Sequence, residues 1–260
     1  MTLILLLPTP THAACGDPGS QEDVELSVLT YNVWGLPSPL ATDRRGRLSR
    51  IASWLDERSY DIAGLQEIWR GAVRLLPLPS VRDARRGDSG LALITPHPVR
   101  ESAQHVFTAE RGFDRFKAKG MLSAAIDLDG TSVEVGVTHL QAGGGSRNAR
   151  IRAAQVEELL SWTETEGPVV LVGDFNLYKD QPIDEQTRQH LEDRGFVDVA
   201  AASSATQGTY PGRADRFDRI YVRSGTRHCR MSQAAEVLQL ELSDHRPVEA
   251  RVKLRGERVR

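Results

Sequence analysis

Cysteine is nearly absent. Cys15 and Cys229 are the only two in 260 residues, too few for a disulfide scaffold and too far apart in sequence for a zinc knuckle. The core must therefore be held by packing. Aromatic residues make up only 6% of the chain. Neither sign of charge dominates, with 33 Lys plus Arg against 35 Asp plus Glu, and the net charge of −2 argues against affinity resting on a dense phosphate-binding surface. No apolar run approaches the roughly 20 residues that span a bilayer, and no repeat is visible at solenoid or propeller periods. What remains, 40% hydrophobic and 26% charged, is the composition of a globular protein and not of a disordered chain.

The segment Met1 to Ala14 has an apolar run from Leu3 to Leu7, then Pro8, Pro10, Ala13 and Ala14. It resembles a clipped signal peptide, although no Lys or Arg follows Met1. This predicts a secreted or periplasmic protein whose residues 15–260 form one domain, soluble and monomeric. Cleavage after Ala14 would expose Cys15. Ala13-Ala14-Cys15 resembles part of a bacterial lipoprotein processing site, with His12 out of pattern, so a lipid anchor on Cys15 stands beside a Cys15 to Cys229 disulfide and two free thiols.

Periodicity organises the remainder. Val24, Leu26 and Val28 alternate as a strand should and run into Asn32, whereas Leu48, Ile51, Ala52 and Leu55 recur at helical spacing. Further strands are expected at Asp61 to Gln66, Gly90 to Thr95, Met121 to Leu128, Thr131 to Thr138, Pro168 to Val172, Phe217 to Val222 and Val248 to Leu254. Val169 to Val172 is apolar on both faces, as in a central strand covered on two sides. Helices are expected at Arg150 to Trp162 and Pro182 to Arg194, the latter closed by Gly195. Strands outnumber helices, and the runs flanking Asp129 and Gly130 read as a hairpin. A layered α+β sandwich fits better than a doubly wound sheet.

Polar residues collect where these strands end: Asn32, Glu67, His139, Asp174 with Asn176, and Asp218, while Asp244 and His245 precede the last strand. Singly, each has an ordinary explanation as a turn residue, a solvated charge or a rim histidine. Jointly they do not, because folding alone has no need for carboxylates, amides and imidazoles at successive strand ends. Carboxylates about 4 Å apart repel by roughly 4 kcal/mol at an effective dielectric near 20, so such a cluster needs a cation or shifted protonation. Oxygen ligands and few histidines favour Mg²⁺ or Mn²⁺ over zinc.

Taken together, Thr30-Tyr31-Asn32-Val33-Trp34-Gly35, Gln66-Glu67, Thr138-His139-Leu140-Gln141-Ala142, Gly173-Asp174-Phe175-Asn176, Arg216-Phe217-Asp218 and Ser243-Asp244-His245 resemble the ordered motifs of the endonuclease/exonuclease/phosphatase superfamily. The resemblance implies a four-layered α/β sandwich, two mainly antiparallel sheets face to face with helices outside. It also implies divalent-metal-dependent phosphate-ester hydrolysis. Thr138 to Ala142, with Arg152 and Gln155 on the next helix and Lys119-Gly120 after Asp114, is most similar to the sphingomyelinase branch. By that resemblance Glu67 binds Mg²⁺ or Mn²⁺ with help from Asn32, and Asp244 steadies the site or contacts a second metal. His245 is the base, oriented by Asp218. Asp174 and Asn176 position water and a phosphate oxygen, His139 donates to the phosphoryl group, and Lys119 adds positive charge near the substrate.

Two departures stand out. Arg219 occupies a position commonly aromatic in the family, and nothing between Val222 and Ser243 is aromatic, whereas haemolytic bacterial sphingomyelinases present an aromatic-tipped hairpin there. A phospholipid such as sphingomyelin is the expected substrate. A secreted nuclease is the alternative, because 29 of the 33 basic residues are Arg, with clusters at Arg44 to Arg50 and Arg82 to Arg86. A third alternative is a non-catalytic binding module, against which the intact motifs count.

Overall fold

A computed structural model describes residues 21–69, 80–82, 89–112, 114, 117–128, 130–201, 207–226 and 228–257. The leader at 1–14, Cys15, Asp129 and the basic cluster beyond Arg82 lie outside the described residues.

The first sheet takes β1 (Gln21–Asn32), β2 (Ile62–Gln66), β3 (Ser80–Arg82), β4 (Ala92–Ile94), β11 (His228–Val237) and β12 (Val248–Glu257), in the order β11-β12-β1-β2-β4-β3. The second takes β5 (Val99–Val106), β6 (Gly120–Leu128), β7 (Thr131–His139), β8 (Val169–Asp174), β9 (Val197–Asp198) and β10 (Asp218–Arg223), in the order β5-β6-β7-β8-β10-β9. Both sheets are mixed. All neighbours pair antiparallel except β1 with β2 and β7 with β8. Parallel strands need a crossover, and a helix supplies each one: α1 (Arg44–Asp56) and α2 (Ser146–Ser161). A third helix, α3 (Pro182–Asp193), follows β8.

Strand alternation builds the layers. Leu26 and Val28 face inward with Val170 and Val172, in a core shared by the two sheets. Leu29, Tyr31 and Val33 face outward against Leu48, Ile51 and Leu55 of α1. On the other side, Val169 and Leu171 meet Val156, Leu159 and Leu160 of α2 and Leu191 of α3. Helix, sheet, sheet, helix is the four-layered sandwich that the family resemblance implies.

Several boundaries differ from expectation. Asp61 stands just outside β2, where its carboxylate accepts from Ser27 N and Oγ at 2.7 and 2.6 Å. The strand expected at Gly90 to Thr95 shortens to Ala92–Ile94. α2 begins at Ser146, four residues earlier than the apolar period shows, because its first turn is polar and exposed. Strands β3, β5, β9 and β11 have no counterpart in the expected pattern.

Candidate active site

The sheet geometry gathers the singled-out side chains at one rim. β1, β2, β7 and β8 finish there, delivering Asn32, Glu67, His139 and Asp174. β10 and β12 run against these strands, so their beginnings reach the same edge. Asp218 therefore opens its strand instead of ending one, directly opposite Asp174. Asp244 and His245 lie in the connection entering β12.

Asp174, 2% exposed, is central. Its Oδ2 accepts from Asn32 Nδ2 at 3.1 Å and lies 3.4 Å from His139 Nε2 and 3.8 Å from His245 Nε2. Its Oδ1 accepts the Asn176 backbone N–H at 3.0 Å. Asn32 Nδ2 is also 3.5 Å from Glu67 Oε1, and His245 Nδ1 meets Asp218 Oδ2 at 2.7 Å.

Burial alone would draw the His245 imidazole down, but Asp218, Asp174 and Asp244 outweigh it and push it up to about 10. His139 moves the opposite way, well below its usual range, through burial reinforced by Lys119, Lys117 and His245. One imidazole is thus charged and the other neutral around pH 7. Burial raises the Asp174 carboxyl, which His245 opposes and Asp218 reinforces. It raises Asp244 too, against His245 and with Glu67.

Lys119 is engaged with protein groups instead of turned to solvent. It is 1% exposed, donates to Leu140 O at 2.7 Å and pairs with Asp114 at 3.1 Å. Trp34, Glu67 and Asn176 hold φ of 48°, 60° and 50°, left-handed values that non-glycine residues adopt at a cost and that concentrate at functional sites. The glycine of the first motif follows from this bend. A Cβ on Gly35 would lie 2.1 Å from Glu67 O, so only glycine admits the Glu67 backbone there.

Sequence reasoning missed three supports. Thr209 Oγ1 accepts from Phe217 N and Asp218 N at 3.0 and 3.1 Å, Ser243 Oγ donates to Asn32 O at 2.7 Å, and the Tyr210 ring stands edge-on to His245 at 5.2 Å. Ser243 belongs to the Ser243-Asp244-His245 motif, but Thr209 and Tyr210 carry no sequence signal because only topology brings their loop to the rim.

The residues present fit a divalent cation. Glu67 Oε2 and Asp218 Oδ1 are buried without hydrogen-bond partners, as is His139 Nδ1. Such acceptors are costly to bury unless a cation meets them. Ligand atoms of Asp174, Asp218 and His245 also fall within 4.8 Å of one another, close enough to hold a metal. That trio already contains the short His245 to Asp218 bond, so the greater unmet demand is at Glu67. Concavity alone points elsewhere, to a cavity of about 370 Å³ lined by residues including Ser27, Tyr60, Glu249 and Arg251. It is lined by charges of both signs and by none of the rim's catalytic-type residues, so chemistry selects the rim.

Residues 29–245 match the model of the Endonuclease/Exonuclease/phosphatase family. The chain belongs to that family. Among curated relatives, human sphingomyelin phosphodiesterase 2 is 31% identical over 179 residues, 60% of this chain and 42% of its own. A putative neutral sphingomyelinase of Drosophila melanogaster is 26% identical over 275 residues, 89% of this chain and 61% of its own. This chain thus spans less than two thirds of the length of either relative. A beta toxin variant of Staphylococcus aureus, solved with bound magnesium ions, superposes with a TM-score of 0.74 at 20% identity, over 87% of this chain and 99% of that one. At that identity the likeness establishes the fold.

Proposed function

We propose that residues 15–260 act as one metal-dependent phosphodiesterase domain whose preferred substrate is a phospholipid such as sphingomyelin. The observation that carries this reading is the Asp218–His245 pair at 2.7 Å, gathered at the same rim as the partnerless Glu67 Oε2. The sphingomyelin phosphodiesterases among the relatives supply the substrate class.

Glu67, assisted by Asn32, would hold Mg²⁺ or Mn²⁺, which when bound withdraws charge from a phosphate oxygen. The remaining work falls to the chain's own residues. Asp218 fixes the His245 ring and stabilises its charged form once the imidazole has taken a proton from the attacking water. Base function needs His245 neutral, and positive charge arriving beside Asp174 and Asp244 shifts it in that direction. Asp174 and Asn176 orient the water and a phosphate oxygen. His139, kept neutral, offers its one N–H to the phosphoryl group as charge builds. Asp244 adds negative charge beside Glu67, and buried Lys119 acts from behind the His139 loop.

The nuclease alternative loses one arginine of its first basic cluster to the interior. Arg47 in the first basic cluster is 7% exposed and spends its donors on backbone carbonyls, and Arg50 pairs with Asp43 at 2.9 Å. A side-by-side assay on sphingomyelin, lysophospholipid, plasmid DNA and a chromogenic phosphodiester, with Mg²⁺ or with chelator, tests the reading. Sphingomyelin turnover abolished by chelator, and reduced at least about 100-fold in Glu67→Ala and His245→Ala, is expected. Near-wild-type metal-dependent activity in either variant would overturn the assignment.

A further inference from the structure

We infer that Arg47 and Arg152 are a matched pair of positioning residues, one on each crossover helix, that hold the loops leaving β1 and β7 in catalytic register. The inference rests on the reading of the rim as a hydrolytic site.

Arg152 is 0% exposed. Its Nη1 donates to Gln141 O at 3.0 Å and Gly143 O at 2.8 Å, the loop that follows His139. Its other edge grips both oxygens of Asp184 at 2.9 and 2.7 Å, and Asp184 Oδ2 in turn accepts the Tyr178 N–H at 3.0 Å. One side chain therefore ties the His139 loop to the segment leaving Asp174 and Asn176. Gln155, one turn further along α2, accepts from Gln141 N at 2.8 Å.

Arg47 repeats the arrangement in the first sheet. Its Nη1 and Nη2 donate to Val33 O at 3.2 Å and Trp34 O at 2.8 Å, the loop that follows Asn32. Nη1 also reaches Leu242 O at 3.0 Å, in the connection carrying Asp244 and His245. The guanidinium carbon sits 4.6 Å from the centre of the Trp34 ring. Both arginines thus join one post-strand loop to a second loop bearing site residues. The role calls for a rigid planar fork with several donors, which lysine does not provide. The hydrogen bonds of both guanidinium groups run to backbone carbonyls and to Asp184, not to a catalytic side chain, so each arginine holds its loops from behind.

The test uses Arg47→Lys, Arg152→Lys and the double variant Arg152→Met with Asp184→Leu. Kinetics on bis(p-nitrophenyl) phosphate with Mg²⁺, thermal unfolding, and the NMR signals of the His139 and His245 imidazoles are measured. The lysine variants should lose roughly 10- to 100-fold in kcat, as expected for small misplacement of reacting groups. KM should change less than about twofold, unfolding should stay cooperative and the imidazole signals should move. The double variant removes both buried charges, so its thermal midpoint should recover more than its kcat; the carbonyls of Gln141 and Gly143 have still lost their donor. Wild-type kcat in the lysine variants, or kcat returning in step with stability in the double variant, would overturn the inference. A wild-type protein inactive on every phosphodiester would sink the hydrolytic reading instead, and unshifted imidazole signals in the variants would then still refute the positioning role.

Discussion

Two imidazoles flank one carboxylate oxygen of Asp174, yet their surroundings push their affinities for a proton in opposite directions. The difference has a measurable consequence for stability. His245 binds its proton more tightly in the folded chain, with a pKa of about 10 against an ordinary 6.5. Its contribution is therefore complete below pH 6.5 and disappears as pH climbs towards 10. In chelator, the thermal midpoint should fall steadily across that window, and His245→Ala should flatten the decline. A wild-type profile already flat from pH 6.5 to 10 would show that the three carboxylates do not hold the proton. The residue types at the rim were legible in sequence because strand-end motifs state them. Arg47 and Arg152 were not legible as loop supports: Arg47 read as part of a basic cluster and Arg152 as one residue of a motif, since backbone carbonyls leave no trace in side-chain patterns.

Elements with a buried face were legible and edge elements were not. β8 is buried along its whole length, and β12 alternates buried valines, alanine and leucine with Glu249, Arg251 and Lys253. β5 borders solvent, with its first four residues exposed, and offers no period to read. β3 and β9, three and two residues long, are too short to show one. The closest approach between the sheets is also invisible in composition. A Cβ on Gly64 of β2 would sit 2.2 Å from Val172 Cγ2 and 3.2 Å from Val137. Gly64→Ala should therefore cost about 1–3 kcal/mol in urea unfolding. It should also depress activity, because displacing β7 and β8 displaces His139 and Asp174. An unchanged unfolding midpoint would mean that the inter-sheet contact has slack.

The whole chain lays down β1 to β4, crosses to the second sheet for β5 to β10, and returns with β11 and β12. That return brings Asp244 and His245 beside Asn32, which explains why the motifs are spread over most of the sequence. Among the described residues no helix is long and apolar enough to cross a membrane, and Arg47 is committed inside the fold. Turnover of a small soluble phosphodiester should accordingly change less than about threefold between 50 and 200 mM KCl, whereas a protein tracking a nucleic-acid backbone through many phosphate contacts loses orders of magnitude in affinity over that range. Steeply salt-sensitive cleavage of plasmid DNA would reverse the preference between the two substrates.

The ladder between the first and last strands carries a consequence for orientation. Gln21 pairs with Glu257 at one end of that ladder, and Thr30 pairs with Val248 near the other. From Gln21 to Asn32 is about 35 Å at roughly 3.3 Å per residue. Gln21 and Glu257 thus lie at the end of the ladder opposite to Asn32 and its neighbours. A label set at that end of the ladder would report on the scaffold while standing clear of the reactive rim.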